Sequence, residues 1–218
     1  PLNLTSPDNA FVLTEEGTYQ EFDADLVSFW LMVPEGTGPF PVAIAQHGID
    51  STHNAMCGPA RELVRAGVAV LRFDWPRHGD RGGGGIDFLD VSNPFKVRDN
   101  FRQSYLDLLS AQRLLVQLAA DLDLLPWGAP DGAPDMVADR IAYVGMSLGG
   151  ILGFAAIPFS DRIPCAVGAV TGEGLYHMVE VAIEDKLPMF DRWTLLGVVH
   201  GAEHLIGAGD GVNYVPRL

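Results

Sequence analysis

The chain has 218 residues, with 14 Lys+Arg against 28 Asp+Glu and a formal charge of −14. At 48% hydrophobic and 19% charged residues it reads as one folded domain, not a disordered chain. A pI near 4.6 leaves nothing to neutralise phosphates, which argues against nucleic acid and anionic lipid surfaces as partners.

Pro1 opens the chain with no basic-then-apolar leader after it, so the expectation is a processed or excised piece of a longer protein. Short β-branched runs then recur at Leu26–Val33, Val42–Gln46, Val68–Phe73, Ile141–Val144 and Cys165–Val170. Helix-like stretches lie between them at His53–Ala66, Ser92–Ala120 and Leu148–Ala156. Several runs are apolar on both faces, as in strands covered by helices on both sides. The alternation therefore predicts an α/β fold with a doubly wound, mostly parallel sheet. Asn93-Pro94 marks the start of the longest helix, with the proline at a tolerated first-turn position.

The connections read as a turn over Pro34–Pro41, a mobile Gly-rich loop over Arg81–Gly85, and a Pro/Gly/Asp connection over Leu124–Ala138. In the last, Asp131, Asp135 and Asp139 lack the ladder and closing Glu of a calcium loop, so a solvated acidic turn is expected. No metal or cofactor is expected. Cys57 and Cys165 make no disulfide framework or ligand cluster; two buried thiols are the leading reading and a single bridge the other. Between Arg140 and Asp161 lie 20 uncharged residues, the length of a spanning helix. Its glycines, Pro158 and β-type start fit strand, turn and buried helix instead, so no transmembrane segment is expected.

The strongest chemical signal is Gly145-Met146-Ser147-Leu148-Gly149, followed by Gly150, with a β-branched run before it and an apolar helix after it. A serine on a strained strand-to-helix turn needs small residues two positions either side, because other side chains would collide there. The second signal is Gln46-His47-Gly48-Ile49, at the end of the Val42–Gln46 run.

With these two motifs in order, and the DWPRHGDRG stretch (Asp74–Gly82) between them, the sequence resembles the α/β-hydrolase superfamily from about Asp25 to Val170. The resemblance implies that Ser147 is a nucleophile and that the N–H groups of Ile49 and Leu148 form an oxyanion hole. It makes His47 a structural loop residue, not the base, since the family's base follows the serine. His78 reads as a hydrogen-bonded loop residue or a pocket-lining one, and Asp74 and Arg77 as residues that fix the same loop. The stretches FPVAIAQHGI, NPFKVRDNFRQSYLDLL and DGAPDMVADRIAYVGMSLGG resemble bacterial secreted and lipoprotein esterases, including virulence-factor lipases. That finer likeness implies a carboxylic ester substrate, lipid-like in character, and a secreted or cell-envelope protein.

Residues 1–170 are expected to form the hydrolase core, and 171–218 a cap-like helical segment and the end of the same domain. The Lys186–Leu205 stretch carries the cap-like apolar pattern. Ser147 stands 71 residues before Leu218, and after Cys165–Val170 no strand followed by an acid and then a histidine is legible. The last strands of the sheet, with acid and base, are therefore expected in a C-terminal remainder. Glu173 with His200 or His204 is the internal option. Two other functions stay open: a serine peptidase of the prolyl-oligopeptidase kind, and a hydrolase-like binding module that has lost catalysis.

Overall fold

A computed structural model describes residues 2–3, 11–21, 23–24, 26–90, 92–125 and 129–171. Glu173, the Lys186–Leu205 stretch, His200 and His204 lie outside the described residues, as does any test of a division near residue 170.

A short antiparallel pair, β1 (Leu2–Asn3) and β2 (Asp23–Ala24), precedes the main sheet. That sheet contains β3 (Phe29–Met32), β4 (Phe40–Gln46), β5 (Ala69–Phe73), β6 (Met136–Met146) and β7 (Cys165–Ala169). Its spatial order is β3-β5-β4-β6-β7, with β3 antiparallel to β5 and every other pairing parallel. The helices are α1 (Cys57–Arg65), α2 (Gly85–Phe88), α3 (Pro94–Asp121) and α4 (Leu148–Ala156). The doubly wound, mostly parallel α/β sheet is thus the observed architecture.

The two faces of the sheet explain the apolar runs. Val42, Ile44, Leu71, Phe73, Ile141 and Tyr143 join Phe101, Leu108 and Leu115 of α3 and Leu148 and Leu152 of α4 in one cluster. On the other face Ala43, Ala45 and Val70 meet Met56, just before α1, and Ala60 of α1. All five residues of β5 are buried, including Arg72, whose guanidinium donates to the His53 carbonyl, so the strand lacks the in-out alternation of a half-exposed sheet.

The connections differ from the sequence expectation for physical reasons. β6 begins at Met136 instead of Ile141, because Phe40 and Pro41 pair with Met136 and Val137 at the end of the Pro/Gly/Asp connection. The register then jumps between Pro41 and Val42, where Pro41 has no N–H for the ladder. The Gly-rich loop is partly ordered, with a 3-10 turn at Gly79–Arg81 and the short α2 from Gly85. Asp135 is buried and accepts the N–H groups of Leu124 (2.7 Å) and Leu125 (3.2 Å), a turn-holding role that leaves its carboxylate inside the chain's own bonds.

At the start of α3, the Asn93 side chain accepts the Lys96 N–H at 3.1 Å and Pro94 occupies the first helical position. Both cysteines are free, with Cys57 half-buried and Cys165 exposed, so the expected burial fails at Cys165 on the outer strand β7. No helix among the described residues is long and apolar enough to cross a membrane. The uncharged segment after Arg140 forms the end of β6, the turn at Ser147, α4 and a 3-10 turn.

Candidate active site

Ser147 stands between β6 and α4 with φ 51° and ψ −118°, a conformation that a residue with a side chain seldom adopts. The strand ends at Met146 and the helix begins at Leu148, so the whole reversal falls on this one residue. The Ser147 N–H donates to the Ala169 carbonyl of β7 at 2.8 Å, and its own carbonyl accepts the N–H groups of Gly150 and Ile151.

The glycines around it are required by close contacts, with backbone at Gly145 and Gly149 and with side chains at Gly150 and Gly153. A Cβ on Gly145 would sit 2.6 Å from the Gly149 and Gly150 backbone. A Cβ on Gly149 would sit 2.5 Å from the Gln46 carbonyl oxygen and 2.8 Å from that of His47. One on Gly150 would run into the Thr171 methyl, and one on Gly153 into the Tyr143 ring. The α4 N-terminus therefore lies directly against the end of β4.

That closeness brings the second motif to the serine. A Cβ on Gly48 would be 3.1 Å from the Ser147 Cβ and 3.5 Å from its Oγ. Ile49 is half-buried and Leu148 fully buried. Among the described residues, neither the Ile49 nor the Leu148 N–H donates a hydrogen bond. Leu148 is at the first position of α4, where an N–H has no intrahelical partner.

Behind the motif lies a buried polar cluster at the carboxyl end of β5. Asp74 accepts the His53 N–H at 2.6 Å, the His53 Nδ1 at 3.1 Å and the Asp80 N–H at 3.4 Å. Burial works to raise its carboxyl, but the His53 and Asp80 donors hold it below the ordinary carboxylate value. Gly79, at φ 52°, passes so close to Asp74 that any Cβ would strike the carboxylate. His53 also stacks on Trp30 of β3, ring centroids 3.2 Å apart. Arg81 reaches back from the following turn, donating to the Asp74 carbonyl at 3.3 Å and to Asp107 of α3 at 2.5 Å. Asp107 is fully enclosed, and burial pushes its carboxyl up despite Arg81 and Gln103.

His47 is fully buried beside this cluster. Its Nδ1 is 2.7 Å from the Gly48 carbonyl oxygen, its Nε2 is 3.3 Å from the Trp75 N–H, and its own carbonyl accepts Trp75 Nε1–H at 3.2 Å. Burial drives the imidazole down to about 4. His78, one turn along, donates from Nδ1 to the Pro76 carbonyl at 2.9 Å, and its buried Nε2 has no partner among the described residues. Burial lowers His78 as well.

Ser147, Leu148 and the Gly48–Ile49 peptide are thus brought together. Among the described residues no carboxylate or imidazole is hydrogen-bonded to Ser147 Oγ, and no group of three or more His, Cys, Asp or Glu side chains could hold a metal ion. The sequence pattern assigns no role to the side chains of His53 and Gln46. His53 meets Asp74 across 21 residues, a pairing no local pattern announces. Gln46 is fully buried with neither amide atom paired among the described residues, a position that an apolar strand pattern marks only as its last residue.

Comparison with known proteins places the fold in a class. No protein-family model matches the sequence, and no curated protein is similar to it. Among solved structures the chain is similar to an acetyl xylan esterase from Paenibacillus sp. R4, at 19% identity and a TM-score of 0.57 over 93% of this chain and 62% of that one. Acetyl xylan esterase 1 from Thermoanaerobacterium sp. JW/SL YS485 gives 20% identity and a TM-score of 0.57, over 88% of this chain and 61% of that one. The Pyrococcus furiosus esterase PF2001 gives 21% identity and a TM-score of 0.50, over 97% and 68% respectively. The chain has the α/β-hydrolase fold. It spans about half to two thirds of the length of the first solved structures it matches.

Proposed function

We propose that this chain carries the nucleophile and oxyanion side of a serine hydrolase that cleaves carboxylic esters. The observation that carries the reading is Ser147 itself, held at φ 51° at the start of α4 and in contact with Gly48. In the proposed reaction the Ser147 oxygen attacks the ester carbonyl carbon and its proton passes to a base. The carbonyl oxygen becomes an oxyanion facing the N–H groups of Ile49 and Leu148. Collapse expels the alcohol, which takes up that proton, and leaves an acyl-serine. Water then attacks the acyl-serine, releasing the acid and restoring the hydroxyl.

Preorganised donors at the oxyanion are worth about 3 kcal/mol each in the transition state. The α4 N-terminus adds its own favourable field for a negative charge. The base and its orienting acid belong to residues after Thr171, with Glu173 and His200 or His204, or a C-terminal remainder, as the candidates. A lipid-like acyl chain and an exported protein form the finer reading. Both rest on the three stretches that resemble secreted and lipoprotein esterases.

The test is a fluorophosphonate probe followed by p-nitrophenyl esters and peptide amides. Labelling at Ser147 with ester turnover is the expected result. Amide turnover without ester turnover would transfer the reading to a serine peptidase. No labelling would leave a binding module with the same fold.

A further inference from the structure

The glycine that lets Ser147 approach also creates a weakness. Gly48 lies so close to Ser147 that a Cβ would be 3.1 Å from the serine Cβ, so no larger residue fits without displacing it. Glycine, however, restrains ψ least of all residues, so the peptide joining Gly48 to Ile49 is free to rotate unless something holds it. Ile49 N–H belongs to that peptide. In a planar trans peptide the N–H points opposite to the C=O, and whatever grips the carbonyl aims the N–H.

We infer that His47 is the positioning residue for the Ile49 donor, its Nδ1–H clamping the Gly48 carbonyl so that the N–H of the same peptide stays directed away from the imidazole. The inference rests on the proposed oxyanion role of Ile49. A carbonyl can only accept, so the 2.7 Å contact makes Nδ1 the protonated nitrogen. The opposite nitrogen agrees, because Nε2 faces the Trp75 N–H at 3.3 Å and must offer a lone pair. One tautomer satisfies both contacts, and the other satisfies neither. Asp74 Oδ1 lies 3.6 Å from Nε2, and the His53 and His78 rings complete the titratable surroundings. Full burial of the imidazole keeps it neutral, which keeps Nε2 bare. Trp75, following β5, holds His47 at two points, the ring through Nε2 and the main chain through the carbonyl, so the ring cannot turn without losing both its Trp75 N–H bond and its bond to Gly48. The clamp therefore runs from β5 through His47 to the peptide beside Ser147.

Two near-isosteric variants separate positioning from packing. His47→Asn keeps a nitrogen donor at the δ position. His47→Phe keeps the ring and loses both nitrogens. In the full-length protein, we expect His47→Phe to lower kcat on a p-nitrophenyl ester about 10-fold to 100-fold with KM within about 2-fold, since the donor matters mainly in the transition state. His47→Asn should stay within about 5-fold of the parent. Nitrogen-15 spectra should show His47 protonated at Nδ1, and the Ile49 amide signal should move in His47→Phe but much less in His47→Asn. A parent protonated at Nε2, or a His47→Phe variant with parental kcat, would overturn the clamp. If the parent neither turns over esters nor takes the fluorophosphonate, the esterase reading fails; the tautomer and the Ile49 shift still decide the clamp without it.

Discussion

The two strands that meet at Ser147 build their ends by opposite means. At the end of β6 the turn is made by absent side chains: Gly145 and Gly149 leave room for backbone to touch backbone, and Gly150 leaves room for the Thr171 methyl. At the ends of β4 and β5 the turns are made by side chains, with His47, His53, Asp74 and Trp75 joined by buried hydrogen bonds. The first device is steric and nearly independent of pH and salt. The second is polar and carries a buried carboxylate and imidazoles whose charge depends on pH. A site assembled from both should fail in two distinguishable ways.

The steric side should break hardest. In Gly149→Ala the new methyl would sit 2.5 Å from the Gln46 carbonyl oxygen and 2.8 Å from that of His47, atoms of backbone that no rotamer change can move aside. We expect a loss of about 4 kcal/mol in urea unfolding, at the upper end of overpacking effects, with the same loss at pH 7 and pH 5. A loss below about 1 kcal/mol would mean that α4 does not press on β4 as described.

Acid should break the polar side next. His47 sits at about 4 against an ordinary value of 6.5, so the unfolded chain takes up a proton below pH 6.5 that the folded chain refuses until pH 4. Stability from this group is complete above pH 6.5 and falls as pH drops to 4, by about 3 kcal/mol over the window. His78, lowered in the same direction, adds to the slope. Urea midpoints measured from pH 7 to pH 4 should fall, and His47→Asn should flatten part of the slope. An unchanged slope in that variant would place the proton uptake elsewhere.

Asp74→Asn comes third. The amide can still accept through one oxygen, but the other becomes an NH2 that faces either the His53 N–H or the Asp80 N–H. The expected cost is about 2 kcal/mol at pH 7. It should shrink as pH drops below the ordinary carboxylate range, because Asp74 itself protonates there and loses the advantage of its lowered value. A cost independent of pH would show that shape, not charge, matters at this position.

The same contrast explains what could be read from the chain. The steric device is local: Gly145 and Gly149 flank Ser147 within five residues, and their purpose follows from the turn alone. The strands were legible for a related reason, since burial on both faces leaves an apolar run such as Val42–Ala45 of β4. The polar device joins His53 to Asp74 and His47 to Trp75 across 21 and 28 residues, so only the fold brings the partners together. The start of β6 was hidden differently. Met136 and Val137 follow a Pro/Gly/Asp stretch that looks like loop, and pairing with Phe40 and Pro41 overrides that local preference.

The smallest expected effect comes from Asn93→Ala, which touches neither device. Asn93 caps α3 through one bond to the Lys96 N–H, and without it that donor turns to water, at a cost of about 1 kcal/mol. Further along, the same helix holds the polar side in place. Asn100 donates to the Phe88 carbonyl of α2 at 3.0 Å, and Asp107 holds Arg81. These anchors lie within a 28-residue helix, whereas a lost cap frays mainly the first turn. Asn93→Ala should therefore lower the urea midpoint slightly and uniformly from pH 7 to pH 4, with ester kinetics and the Ile49 amide signal as in the parent. A shifted Ile49 signal would mean that the β5 loops lean on the start of α3, and that the polar side of the site is not held by its own hydrogen bonds.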